Sequence, residues 1–231
     1  MRRLLYVKPL LQGCSRCRDC KLASFAFSDD LFSMSTMTWP LGGLYNISVW
    51  HDLGQRVKHS LGLTGFDAQG RQMLVLWGGR RGSTKIAATD FCRAAQKLNF
   101  DATLMQCSSI SFEALCQYDL LIVFCATYDG CPPDNASAFR DEMQAVARCQ
   151  SRAAVHLQFA VLATCNRKWE LTFAAVGEEI DEALERCGAH RLLPLERADK
   201  YNGLQRFEKQ LASWRERLFV KLAQPSMPDS E

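Results

Sequence analysis

Residues 120–136 read LLIVFCATYDGCPPDNA, and they divide into one strand, one stiff loop and one helix start. Residues 120–125 form an uncharged apolar run bounded by Asp119 and by turn chemistry. That pattern suits a strand buried on both faces of a parallel sheet. Tyr128 is followed by the turn pair Asp129-Gly130 and by Pro132-Pro133, which stiffens the exit and offers no N–H to a neighbouring strand. Asp134 or Asn135 then caps a helix beginning near Ala136. An aromatic ring on a short loop above a parallel sheet lies where such folds bind ligands. An ordinary strand-to-helix connection with a surface tyrosine would read the same from these residues alone, so the flanking sequence has to decide.

Working outward, the pattern becomes regular from Gln72. Residues 72–77 are a strand candidate, followed by the glycine-rich run 78–84 and a helix to about Leu98, with Ile86, Ala87, Phe91, Ala94, Ala95 and Leu98 on one stripe. Residues 103–106 form a short second strand, and 111–117 a brief helix leading into the central stretch. Beyond it, the helix runs to about Arg148 and residues 154–162 form another strand. Phe173, Val176, Ile180, Leu184 and Cys187 recur at helical spacing, with Gly188 as the stop. Residues 191–195 make a fifth short strand, and Leu204, Phe207, Leu211, Trp214 and Leu218 define an amphipathic closing helix. Five strands alternating with helices predict an open, doubly wound α/β sheet of roughly 150 residues.

At 231 residues and 48% hydrophobic content, the chain is long enough for one such domain and an extension. The predicted division is an extension over 1–68, partly disordered or targeting, a domain over 69–224 and a tail over 225–231. No run of about 18 uncharged apolar residues occurs, so no transmembrane segment is expected. The net charge of +3 is uneven: residues 1–22 carry +5, which leaves −2 for the rest. A nucleic-acid-binding globule would concentrate basic charge on its folded part, so nucleic acid is not an expected partner. Eleven cysteines, mostly scattered singly, indicate free thiols in a reducing compartment. The expected location is cytoplasmic, with organelle targeting by the basic, acid-free start as the alternative. Cys14, Cys17 and Cys20 have a spacing that opens some iron–sulfur and zinc sites. The next cysteine is Cys92 and no histidine precedes His51, so no metal site is assigned.

Three loops lie at the carboxyl ends of the strands, over residues 78–84, 126–135 and 163–173. The first leads into a helix N-terminus, whose unpaired N–H groups and dipole favour a phosphate. Ser83 and Thr84 add hydroxyls there, and Arg80 and Arg81 add charge. It is neither a Walker loop nor G-x-G-x-x-G. The other two loops carry Tyr128 and Trp169, between which a flat conjugated ligand could lie with its phosphate in the first loop.

These residues resemble the flavodoxin-like FMN domain of the diflavin reductases, the family of cytochrome P-450 reductase and the fused, self-sufficient P-450 monooxygenases. Residues 74–84, LVLWGGRRGST, look like the family's phosphate loop. Residues 126–136, ATYDGCPPDNA, resemble its Ala-Thr-Tyr element in the shorter form of the fused enzymes, and residues 159–169, FAVLATCNRKW, are similar to its third loop. The resemblance implies a flavodoxin-like five-stranded parallel sheet of order 2-1-3-4-5 with helices on both faces. It places Gly82, Ser83 and Thr84 on the phosphate of FMN, with Arg80 and Arg81 adding charge. It sets Tyr128 and Trp169 against the flavin ring, Asp129-Gly130 near its reactive nitrogen, and Asn166 and Asp199 on the rim, with Thr127, Thr164 and Cys165 completing the loops. No side chain need act as acid, base or nucleophile. Gly79 stands where the family has a serine, Lys85 where it has an acid, and Ala163 and Cys165 where it has glycines.

The implied activity is electron transfer from an FAD/NADPH reductase module or protein to a haem or other redox acceptor. No room is expected in this chain for the reductase modules themselves. The acidic side of one helix, with Glu178, Glu179, Asp181, Glu182 and Glu185, could steer a basic partner or be simply a solvated face. The alternative reading is a degenerate flavodoxin-like module that has lost flavin binding and serves interaction or regulation.

Overall fold

The computed structural model describes residues 66–149, 152–201 and 203–224. The readings of Cys14, Cys17 and Cys20 and of a targeting start lie outside the described residues. Six parallel strands make one sheet: β1 Gln72–Gly78, β2 Asp101–Gln106, β3 Leu120–Ala126, β4 Gln158–Cys165, β5 His190–Arg191 and β6 Glu196–Asp199. The helices are α1 Ser83–Gln96, α2 Phe112–Leu115, α3 Asp134–Arg148, α4 Ala175–Arg186 and α5 Leu204–Ala223, with 3-10 turns at Cys107–Ser109 and Arg167–Thr172. The strand order is β2-β1-β3-β4-β5, and β6 also pairs with β4.

Every residue of β3 is buried, and its alternation shows why. Leu120, Ile122 and Phe124 join the core beneath α1 and α5. Leu121, Val123 and Cys125 join the core beneath α2, α3 and α4. A strand that feeds two cores cannot carry a polar face, which is what the uncharged run 120–125 expresses. On the first side, Phe91, Phe124, Trp214 and Phe219 form a ring cluster with centroids 5.2–5.8 Å apart. Phe66 and Ala68, just ahead of the expected domain start, also pack there, with Phe66 6.0 Å from the Phe100 ring.

Three local expectations are corrected. α3 starts at Asp134, with Pro133 in the N-cap position and no side-chain cap, because Asp134 and Asn135 turn their side chains to the first loop instead. β4 begins four residues later than expected and runs on to Cys165, so residues 163–165 are strand and not loop; their backbone is held by β3 on one side and β6 on the other. The fifth strand is split, β5 pairing with the start of β4 and β6 with its end; Leu192 still donates to the Phe159 carbonyl, and residues 193–195 lie between the two pairings. Among the described residues no helix is long and apolar enough to cross a membrane, and no cluster of His, Cys, Asp and Glu could hold a metal ion.

Candidate functional site

The order β2-β1-β3 reverses the direction of winding at β1, and the loops leaving β1 and β3 diverge from that point. The first loop ends at Gly82, whose φ of 82° bends the chain into α1 at the N-cap position. α1 has no side-chain cap and no acidic residue in its first turn. Its leading N–H groups are therefore free for an anion. Lys85 lies over the Trp77 ring, 5.3 Å from the centroid.

The first and second loops are tied together. Asn135 Oδ1 accepts from the Gly79 N–H (3.0 Å), and the Tyr128 hydroxyl accepts from the Arg80 N–H (3.0 Å). The Arg80 guanidinium pairs with Asp134 at 2.7 Å and lies 5.5 Å from the centre of the Tyr128 ring. It lies over one face of that ring.

Tyr128, Asp129, Gly130 and Cys131 form a closed turn: Tyr128 and Cys131 exchange both backbone hydrogen bonds, at 3.0 and 2.9 Å. Asp129 and Gly130 have φ of 52° and 76°. Two successive positive φ angles define the I′ turn that Asp-Gly favours. The turn presses on the third loop, since a Cβ on Gly130 would sit 2.9 Å from Thr172 Cγ2. Thr127 braces the same junction, its hydroxyl accepting from the Val176 N–H at the start of α4 (3.2 Å).

In the third loop Asn166 accepts from the Lys168 N–H (2.9 Å) and caps the 3-10 turn. That turn carries Trp169, 52% exposed, and Leu171, wholly exposed. Asp199 is buried beneath it and accepts from the Arg167 N–H, the Arg167 guanidinium and the Tyr201 N–H. Burial works to raise the Asp199 carboxyl, but those donors outweigh it and hold the group below the ordinary carboxylate range.

The structure thus brings Arg80, Gly82, Ser83, Tyr128, Asp129, Gly130, Asn166, Trp169 and Asp199 to one edge of the sheet. Thr84, Thr164 and Cys165 differ from the others. The Thr84 and Thr164 hydroxyls are both buried and share a 2.8 Å hydrogen bond with each other. Cys165 points into a small apolar cluster with Ala163 and Ala174. Burial, reinforced by Asp199, pushes its thiol up to about 12.

The glycine replacements also have local explanations. Ala163 and Cys165 are absent from the residues with positive φ, so neither requires glycine for its backbone. The methyl of Ala163 is accommodated by Gly177 on α4, where an added Cβ would come within 2.6 Å of it. At Gly79, a Cβ would meet both Cβ and Oγ1 of Thr84 at 3.0 Å, so a serine here would require Thr84 to shift by a few tenths of an ångström.

One residue missed by sequence reasoning joins the site. Lys200, the first residue after β6, donates from Nζ to Ser83 Oγ at 2.7 Å. Burial lowers its pKa and Arg81 lowers it further, against the opposing influence of Cys165. Its position after a strand's carboxyl end was the available signal. The acidic side of α4, by contrast, is paired throughout: Glu178 pairs with Arg197, Glu179 with Arg140, Asp181 and Glu185 with Arg191, and Glu182 with Arg186.

A family model described as flavodoxin matches residues 75–214, more than half of the chain. The chain belongs to the flavodoxin family. It is 29% identical over 150 residues to a self-sufficient cytochrome P450 monooxygenase of Phanerodontia chrysosporium, covering 65% of this chain and 14% of that protein. It is also 29% identical over 169 residues to the NADPH–cytochrome P450 reductase of Rattus norvegicus, covering 71% of this chain and 24% of the reductase. The chain therefore spans only a small part of these relatives. Among solved structures, a short-chain flavodoxin associated with a bacterial microcompartment superposes with a TM-score of 0.55 at 21% identity, covering 66% of this chain and 99% of that one. That likeness establishes the flavodoxin fold. Family membership makes FMN the cofactor to which this site corresponds, and the donor set suits it: an uncapped helix N-terminus with nearby cations for a phosphate, and two exposed or half-exposed rings for a flat ring system.

Proposed function

We propose that this chain is an FMN-binding electron-transfer module that accepts electrons from an FAD/NADPH flavoprotein reductase and passes them to a haem or other redox protein. The observation that carries the reading is the convergence, at one sheet edge, of an uncapped helix N-terminus, the rigid Tyr128–Cys131 turn and the Trp169 loop. FMN, when bound, supplies one- and two-electron redox chemistry. The residues have the remaining tasks. Gly82, Ser83 and the first N–H groups of α1 bind the phosphate, with Arg81 nearby in charge. Tyr128, held by Arg80, and Trp169 orient the ring and exclude water from its faces. The turn at Asp129-Gly130 offers backbone groups in a fixed orientation and so sets the polarity felt at the ring edge. Asn166 and Asp199 hold the third loop in place.

On this reading no acid, base or nucleophile is required. Cys165, the only thiol among the proposed site residues, is held protonated by burial. The second reading, a module that has lost flavin binding, draws on one observation: the Thr84 hydroxyl is already committed to Thr164, and Gly79 has no side chain to replace it. Titration of the purified protein with FMN decides. Quenching of flavin fluorescence and a perturbed, saturable flavin spectrum support the electron carrier. A colourless protein that leaves the spectrum of added FMN unchanged supports the alternative.

A further inference from the structure

We infer that Lys200, beside Arg81, is a charged ligand of the phosphate subsite, and that this chain recognises the phosphate monoester more by charge because fewer hydroxyl groups are on offer. The inference rests on the FMN reading and specifies how its phosphate is held. Four observations converge. Gly79 offers no hydroxyl, and a side chain there would press on Thr84. Thr84 Oγ1 is turned away into a buried bond with Thr164. Arg80, one of the two arginines of the loop, is committed to Asp134 and to the Tyr128 ring. Ser83 Oγ remains at the mouth of α1, and the cation next to it is Lys200 Nζ at 2.7 Å.

Lys200 has no carboxylate partner among its hydrogen bonds and ion pairs in the described residues; it contacts the Ser83 hydroxyl and lies 5.1 Å from the Phe207 ring. An ammonium that is partly withdrawn from water and faces only a hydroxyl and a ring is under-compensated. A phosphate at the N-terminus of α1 would supply the missing counter-charge, and the shared Ser83 hydroxyl marks where its oxygens would come. The backbone delivers the side chain there rigidly, because the Lys200 N–H donates to the Cys165 carbonyl at 3.0 Å directly after β6. A purely structural lysine, packed to join the start of α5 to α1, would make the same contacts but would not distinguish a phosphorylated ligand from an unphosphorylated one.

The test compares FMN with riboflavin, which carries the same ring without the phosphate, and uses inorganic phosphate as a competitor. Affinities are measured by flavin fluorescence on the full chain and on Lys200→Gln. Loss of a charge-assisted hydrogen bond corresponds to roughly a tenfold to hundredfold weaker FMN complex. Riboflavin affinity should stay within about twofold of the unmodified chain, and inorganic phosphate should compete less well against the variant. Unchanged FMN affinity in Lys200→Gln overturns the inference while leaving the FMN module intact. Equal losses for FMN and riboflavin also overturn it, since they mark a structural lysine. If the unmodified chain binds neither flavin, both the module and the inference fall. Should Lys200→Gln not fold, as judged by far-ultraviolet circular dichroism, the unmodified chain still decides. FMN affinity must then fall with added salt while riboflavin affinity does not, and a salt-independent preference for FMN overturns the charge-based reading.

Discussion

Gly130→Ala places a methyl group in the one turn of the site where both the backbone and the neighbouring loop object to it. With φ at 76°, an L-residue there incurs roughly 1–2 kcal/mol of left-handed strain. The new Cβ would also lie 2.9 Å from Thr172 Cγ2 and 3.3 Å from Thr172 Cβ. Because Thr172 is only partly buried and can shift, this contact adds about 1 kcal/mol, the low end of overpacking costs. The expected total is about 2–3 kcal/mol. Gly82→Ala is the internal reference. Its φ is 82° but nothing lies within 4 Å of the added Cβ, so it should show the backbone strain alone.

Urea unfolding of the full chain, followed by tryptophan fluorescence, gives the comparison. With a slope of about 1–3 kcal/mol per molar urea, the extra steric part should separate the two midpoints by roughly half a molar. Thr172→Ser removes the Cγ2 methyl, so the Gly130→Ala, Thr172→Ser double variant should recover about 1 kcal/mol relative to additivity. Equal midpoints for the two single alanine variants, or strict additivity in the double variant, would refute the contact between the turn and the third loop.

The packing of Ala163 against Gly177 makes a second cycle: Gly177→Ala, with its Cβ 2.6 Å from that of Ala163, should cost about 2–3 kcal/mol. Adding Ala163→Gly should return most of that loss in the same urea assay, and a double variant no better than the single would disprove the exchange. Asp199 predicts an acid-side effect. Its folded pKa lies below the ordinary value of 3.8, so its contribution is fully present above the unfolded pKa and disappears as the pH falls through the folded value. Asp199→Asn should therefore flatten the decline in urea midpoint between about pH 5 and pH 2, and an unchanged pH profile would count against the Arg167 and Tyr201 donors as the cause.

Much of the architecture could be read from the residues because burial constrains them strongly. The wholly apolar run of β3 was legible since it serves two cores, and the stripe from Phe207 to Leu218 since α5 packs one face only. The rings and the Asp129-Gly130 turn were legible for a different reason: turn chemistry is local. What escaped depends on pairs that are distant in sequence. Nothing near Ser83 announces Lys200, and nothing near Ala163 announces that Gly177 gives way to its methyl. The acidic positions of α4 read as free surface because their arginine partners come from α3, from α4 itself and from the last two strands. Asn135 read as a helix cap because its real partner, the Gly79 N–H, belongs to another loop.

The divided last strand bears on how copies of this protein behave in concentrated solution. An unbroken outer strand would offer a newcomer a continuous row of unpaired N–H and C=O groups, the template for intermolecular strand addition. Here that border consists of two residues, His190–Arg191, an interruption, and four more, Glu196–Asp199, with exposed Pro194 in the gap. Arg191 and Arg197 sit on the two pieces, anchored to acids of α4. Neither piece is long enough to seed a ladder, and both carry charge, so this border, unlike the unbroken β2 at the opposite edge, resists strand addition.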